Sequence, residues 1–338
     1  MTIRFENFKC KSAISNSRLN TLEECTAKYA YTYLYKCPNI SNQGAQRGSV
    51  VHDIFEILAN KRHKKIVDLV LKQKTCKKHK ALWELTQIYA KKYEVFDSEN
   101  LELIDQFLIT GLTNEFYGPK NTFKNEVEKK FDIEIEDKKK GIFYRITGFI
   151  DRINWIEDKE NNCIYIDVID YKSSKSKFEK KKIEISNQGI IYQIALKYLF
   201  PDIKLNSFRF LFLKFADDPY QEFKLLTDEQ LFGYELFLTE VQKKIEKFSY
   251  NNIPDNYAAK IPFLKLTRCG KIGVKKDGTP NFICSAYKPF KYYLISDKTG
   301  KPLKSYFTDD IILEDGQFGQ WKEYPGCSFY YDSLGNPK

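Results

Sequence analysis

The chain has 338 residues, with 55 Lys and Arg against 45 Asp and Glu, a formal net charge of +10. Hydrophobic residues at 42% and charged residues at 30% describe a folded globular chain and argue against wholesale disorder. No apolar run approaches the roughly 18 residues of a membrane span, and the first residues carry no apolar leader stretch. The expectation is therefore a cytoplasmic protein without a membrane partner, whose eight cysteines are free thiols or metal ligands rather than disulfides.

In chain order, Ser15, Asn16 and Ser17 offer caps for a helix over about 18–36, closed by Pro38. Val50, Val51, Ile54, Phe55, Ile57 and Leu58 follow Gly48 at helical spacing. Two more helices are predicted near 80–93 and 98–116, ended by Gly118-Pro119. The period then changes to two. Phe131, Ile133 and Ile135 alternate with charged residues, and a Lys-Lys-Lys-Gly turn over 138–141 leads to a second strand with Ile142, Tyr144, Ile146, Gly148 and Ile150. A third strand runs from Cys163 to Tyr171, giving a meander. A helix near 187–200, a strand near 208–215 and a long helix near 228–248 come next. The last ninety or so residues show no clear period and are expected to be irregular. Three regions are expected: a helical one over 1–120, an α/β core over 121–250 and a cysteine-containing extension over 251–338 that packs on the core.

The residues with chemistry to offer are at the strand ends. Asp170 and Lys172 are two apart on one strand and project to one face, and Asp151 closes the preceding strand. Two acids and a lysine on adjacent strands can hold a divalent cation and a water nucleophile. Asp170 also continues the apolar face of Ile164, Ile166 and Val168, where an idle charge would be costly. Glu126, two residues from Glu128, would share its strand face. Gln188 and Tyr192 are i and i+4 on one helix face.

Five segments in order resemble the signatures of RecB-like nucleases, the CRISPR-associated and exonuclease V-type branch of the PD-(D/E)XK superfamily. They are Arg47-Gly48 through His52, Glu128 through Phe131, Gly148 through Asp151, Val168 through Lys172, and Gln188 through Tyr192. The resemblance implies an α/β fold, a mixed central sheet flanked by helices. It implies metal-dependent DNA cleavage, with exonuclease action on single strands or ends, in bacterial or phage repair, recombination or replication. It makes Asp151 and Asp170 ligands of Mg²⁺ or Mn²⁺ with the Tyr171 carbonyl, and Lys172 the residue that positions the water. His52 and Glu128 would join the metal site, and Gln188 and Tyr192 would act beside it and on DNA. Cys25 matches the segment that supplies the first cysteine of a [4Fe–4S] cluster in some members; Cys269, Cys284 and Cys327 would complete it, or the four would hold zinc. No Gly-x-x-x-x-Gly-Lys-Ser/Thr loop occurs, so a helicase would be a separate protein. The rival reading is a catalytically silent DNA-binding or scaffold subunit, against which the intact Asp151, Asp170 and Lys172 set argues.

Overall fold

The computed structural model describes residues 1–38, 42–179, 183–248, 272–274, 280–282 and 289–326. The chain forms two compact units: Met1–Asn16 with Ser41–Lys243, and Ser17–Ile40 with Lys244–Lys338.

The first unit is built on a six-stranded sheet in simple sequence order, β1 (Thr2–Arg4), β2 (Thr122–Asp137), β3 (Ile142–Asp158), β4 (Cys163–Lys172), β5 (Lys204–Phe212) and β6 (Tyr220–Phe223). All neighbours are antiparallel except β4 and β5. The sheet is therefore mixed. The predicted meander is β2–β3–β4, with Gly141 at φ +70° in its first turn, a conformation that costs glycine little. Parallel pairing needs a crossover, and helix α7 (Asn187–Leu199) supplies it between β4 and β5. Its N-terminus is capped by Ser186.

One sheet face packs on a helical layer. Ile169, Tyr171, Leu211 and Leu213 join a core with Val50, Val51, Ile54 and Phe55 of α3 (Gln43–Leu58). The same core takes Val67 and Val70 of α4 (Lys64–Gln73), Leu82 and Ala90 of α5 (Lys80–Lys92), and Ile104, Phe107 and Leu108 of α6 (Ser98–Thr113). Asn42 caps α3, His79 caps α5 and Asp97 caps α6 through side-chain acceptors. Helix α4 was not anticipated, because its short apolar stripe lies between lysine clusters that read as a solvated stretch.

The second unit departs more from the sequence expectation. The helix expected over 18–36 is interrupted. It divides into α1 (Asn16–Glu24), α2 (Thr26–Tyr29) and a π-helical turn over Ala30–Leu34. Cys25 is extended, with φ −166° and ψ 119°, and its thiol accepts the Lys28 N–H at 3.4 Å, so it ends one helix and caps the next. The tail expected to be irregular carries a three-stranded sheet, β10 (Pro302–Tyr306), β9 (Phe290–Asp297) and β11 (Gln317–Tyr324), in the order β10–β9–β11. A short hairpin, β7 (Ile272–Val274) with β8 (Pro280–Phe282), precedes it. Tyr292, Leu294 and Tyr324 bury against Ala27, Ala30 and Tyr31. Helix α8 (Asp228–Glu246) completes the order of elements.

At Gly189 in α7, an added Cβ would stand 2.7 Å from the Phe223 ring and 3.0 Å from Phe208. Both rings are buried aromatics that cannot swing aside. Gly189→Val is expected to destabilise the protein by about 1–3 kcal/mol through overpacking. Urea unfolding should show a lower midpoint with an unchanged slope; an unaltered midpoint would contradict this packing.

Candidate active site

The registers of the meander bring three acids into line. Val127 pairs with Arg152 and Lys129 with Ile150, so Glu128 lies across from Asp151. The β3–β4 ladder stops at the Arg152–Ile169 pair, and one further step of that register sets Asp151 across from Asp170. Asp170 in turn pairs with Phe210 of β5. Because opposed residues share a face, the row Glu128–Asp151–Asp170 spans three strands on one side of the sheet. Asp170 is 0% exposed and Asp151 8%. Two carboxylates so buried need compensating partners.

The partners are present. Beyond the last ladder pair, the Tyr171 N–H donates to Asp151 Oδ2 at 2.7 Å in place of a strand partner. Gln188 Nε2 donates to Asp170 Oδ1 at 2.5 Å and to the Tyr192 hydroxyl at 2.9 Å. Lys172 Nζ donates to Gln188 Oε1 at 2.6 Å and forms an ion pair with Asp170 Oδ2. That Oδ2 nevertheless accepts no hydrogen bond of normal geometry. The Tyr192 hydroxyl donates to the Phe149 carbonyl on β3. A single amide thus ties α7 to the aspartate and lysine of β4, and its tyrosine neighbour ties α7 to β3.

From the helical layer, His52 Nδ1 lies 3.0 Å from Glu128 Oε1 and Nε2 lies 3.8 Å from Asp151 Oδ2. One ligand atom from each of His52, Glu128 and Asp151 falls within 4.8 Å of the others. Glu128 takes φ +46°, an unfavourable backbone state for a residue with a side chain. Glu126 does not compete with it. It is engaged by Lys124 at 2.8 Å, Lys129 at 2.8 Å and the Trp155 indole at 2.9 Å.

Carboxylate oxygens joined by an imidazole nitrogen can hold a divalent cation, and Asp170 Oδ2 beside them has the Lys172 ion pair but no hydrogen bond, so it has capacity for a further cation. The residues therefore fit a divalent ion. A cleft of about 1390 Å³ opens onto them, lined among others by Gly48, His52, Glu128, Phe149, Tyr171, Lys172 and Ser173. Tyr192 is only 6% exposed, and its ring packs near Phe131 and Phe208. Burial, then the charges of Asp170 and Asp151, keeps its hydroxyl protonated. It is a fixed donor inside the fold and presents no ring face on which a DNA base could stack.

Ser173 was not singled out in the sequence, yet its hydroxyl donates to the Gly44 carbonyl at 3.2 Å, holding the end of β4 to the start of α3. The signal for it was Gly48, where an added Cβ would stand 2.8 Å from Ser173 Oγ. Cys25 is the helix cap described above, and Cys269, Cys284 and Cys327 lie outside the described residues.

The PD-(D/E)XK nuclease superfamily model matches residues 13–270, and the chain belongs to this superfamily. Its members are generally metal-dependent nucleases acting on DNA. No curated protein matches the chain. Among the described residues no helix is long and apolar enough to cross a membrane.

The charges imply a definite pH dependence. Burial, then the charge of Asp170, pushes the Asp151 carboxyl from 3.8 up to about 7. Between those values the folded state keeps a proton that the unfolded state has released, so stability falls as pH rises. Burial opposes charge on His52, but Asp151 and Glu128 outweigh it and raise its pKa from 6.5 to about 9. Its contribution is full below 6.5 and is lost as pH rises through about 9. Both limbs slope the same way. The metal-free protein should lose stability steadily across this range, and the melting-point gain from Mn²⁺ should grow with pH as the cation replaces the protons. Asp151→Asn should remove the lower limb and shrink the upper one, because Asp151 is the first of the charges that raise His52. Thermal unfolding across pH, with and without Mn²⁺, checks both; a gain independent of pH would contradict the assignment.

Proposed function

We propose that the protein is a Mg²⁺- or Mn²⁺-dependent deoxyribonuclease of the RecB-like branch that degrades single strands or ends as an exonuclease. The observation that carries this reading is the convergence of His52, Glu128 and Asp151 beside buried Asp170 and its partly exposed ion-pair partner Lys172. Asp151 and Asp170 are the principal ligands. The Tyr171 carbonyl is a third, since a residue's N–H and C=O share one side of a strand and its N–H meets Asp151. His52 and Glu128 extend the ligand set. When bound, the divalent cation polarises the scissile phosphate and lowers the pKa of a water. Lys172 orients that water and offsets charge on the phosphate. Gln188 holds Lys172 and Asp170 at a fixed separation by accepting from one and donating to the other. Tyr192 anchors Gln188 and is a positioning residue.

The pathway proposed is bacterial or phage DNA repair, recombination or replication, with any helicase supplied by a separate protein. The cysteine tail is proposed to hold iron–sulfur or zinc through Cys25, Cys269, Cys284 and Cys327. Iron, sulfide and zinc analysis of anaerobically purified protein tests that part; a preparation lacking all three overturns it without touching the carboxylate site.

End-labelled single- and double-stranded DNA with Mg²⁺ or Mn²⁺ tests the activity. Wild type should shorten linear DNA progressively, with little sequence preference and strong salt dependence. Asp170→Asn and Lys172→Ala should each lower the rate by at least about a hundredfold while circular dichroism stays native. Gln188→Ala should lower the turnover number more than it alters substrate affinity. Full activity of Asp170→Asn in a clean preparation would refute the site. Discrete fragments from closed circular DNA, cut at one fixed sequence, would refute the exonuclease reading.

A further inference from the structure

The cleft continues past the metal ligands, along α3 toward its N-terminus, and changes character there. Gly44, Gly48 and His52 are successive turns on one face of α3. The segment leaving β4 runs along that face, held by the Ser173–Gly44 hydrogen bond and admitted by the missing side chain at Gly48. This end of the cleft is lined by Gln43, Gly44, Arg47, Ser174, Lys175 and Lys214.

Arg47 is the informative residue. It is 7% exposed, and a buried guanidinium ordinarily sits against a carboxylate. Here its Nη1 donates to a neutral amide oxygen, that of Asn100, with Asp97 behind it as the acceptor of the Asn100 amide. Its Nε has no partner. Lys175 and Lys214 are exposed and enter no ion pair among the described residues, whereas neighbouring Lys177 is held by Asp218 at 2.6 Å. Arg47 also acts on the charge of Asp97 across the Asn100 amide, and of the cleft's acids Glu99 adjoins that amide in sequence. Asp53 is engaged by Lys92 at 3.1 Å and the Tyr93 hydroxyl at 3.0 Å, and Glu56 and Glu99 are exposed. The start of α3 adds its N–H groups and the positive end of its dipole.

Building on the nuclease reading, we propose that this end of the cleft seats the terminal phosphomonoester of the DNA strand. A phosphomonoester carries up to two charges and projects beyond its sugar. It can therefore reach a guanidinium sunk below the surface, which a backbone diester flanked by two sugars cannot. Arg47 and Gly44 precede His52 by about 7.5 and about 12 Å along the helix axis at about 1.5 Å per residue. A phosphate seated there leaves the next diesters of the strand over the carboxylates. The seat thus measures the product as well as the end: cleavage releases short products of one or a few nucleotides.

The test is binding of the full chain in EDTA, followed by fluorescence anisotropy, to single-stranded oligonucleotides ending in 5′-phosphate, 3′-phosphate or hydroxyls only. One phosphorylated end should bind about tenfold tighter than the hydroxyl-ended strand, the size of a charge-assisted contact set; which end does so gives the polarity. Lys175→Ala and Lys214→Ala, both at exposed positions that do not threaten folding, should each reduce that ratio several-fold. Arg47→Lys should reduce it further, with thermal unfolding as the control for its buried site. Equal affinity for all three strands, or a preference that survives the double Lys175→Ala, Lys214→Ala variant, overturns the proposal. Because binding is measured without metal, a phosphate preference without any hydrolysis on adding Mn²⁺ would sink the nuclease reading alone. Hydrolysis without a preference would sink the phosphate seat alone.

Discussion

Everything at this site follows from placing Asp170 at the buried end of a central strand. A carboxylate with no solvent exposure is tolerable only if its oxygens are matched. The protein matches one oxygen with a neutral amide, Gln188, and sets the other against a cation that is itself shared with that amide. Because Gln188 is committed in two directions, the helix bearing it has little freedom to rotate or slide. The Tyr192 hydroxyl, committed to the Phe149 carbonyl, removes what remains. The crossover helix is thus registered to the sheet near its start, by the polar contacts of Gln188 and Tyr192 and, at Gly189 beside them, by close packing on Phe208 and Phe223.

That registration is what lets the two layers meet at a single point. The acids belong to the sheet and His52 to the helical layer, and only together do they bring three potential ligand atoms within 4.8 Å of one another. Tyr171 stands between them. Its backbone N–H holds Asp151, while its ring lies 4.6 Å from that of Phe55 and 5.9 Å from that of His52. The residue between Asp170 and Lys172 therefore links the acids to the histidine helix through its backbone on one side and its ring on the other. Substitutions there alter both layers at once.

Much of this was legible in the sequence, for identifiable reasons. The meander announced itself through strict alternation and a Lys-Lys-Lys-Gly turn, and the crossover helix was bounded by Pro201 at its end. Asp170 stood out because it extends an apolar face. Ile164 at the other end of that face is in fact 42% exposed, so the inference rested on Ile166 and Val168. Glu128 could not be separated from Glu126 by pattern, since what distinguishes them is a left-handed φ that no periodicity reveals. The break at Cys25 escaped notice because a cysteine is not a customary helix cap. The tail sheet escaped because its apolar face, Phe290, Tyr292 and Leu294, is short and its partners lie some 260 residues earlier, at Ala27 and Tyr31. Arg47 was read only as a flank of Gly48, because burial against a neutral amide is a property of three dimensions.

The same long-range pairing has a consequence for how the chain is made. The second unit is discontinuous: residues 17–40 belong with residues beyond 243. During synthesis the Ala27–Tyr31 segment leaves the ribosome well before the strands that cover it exist. The nuclease unit, drawn from 1–16 and 41–243, has all its strands by then. An apolar ribbon between the first strand and the rest must therefore wait, uncovered, through most of translation. Its heavy use of tyrosine in place of purely aliphatic residues (Tyr29, Tyr31, Tyr33 and Tyr35) gives each exposed ring a polar edge during that interval.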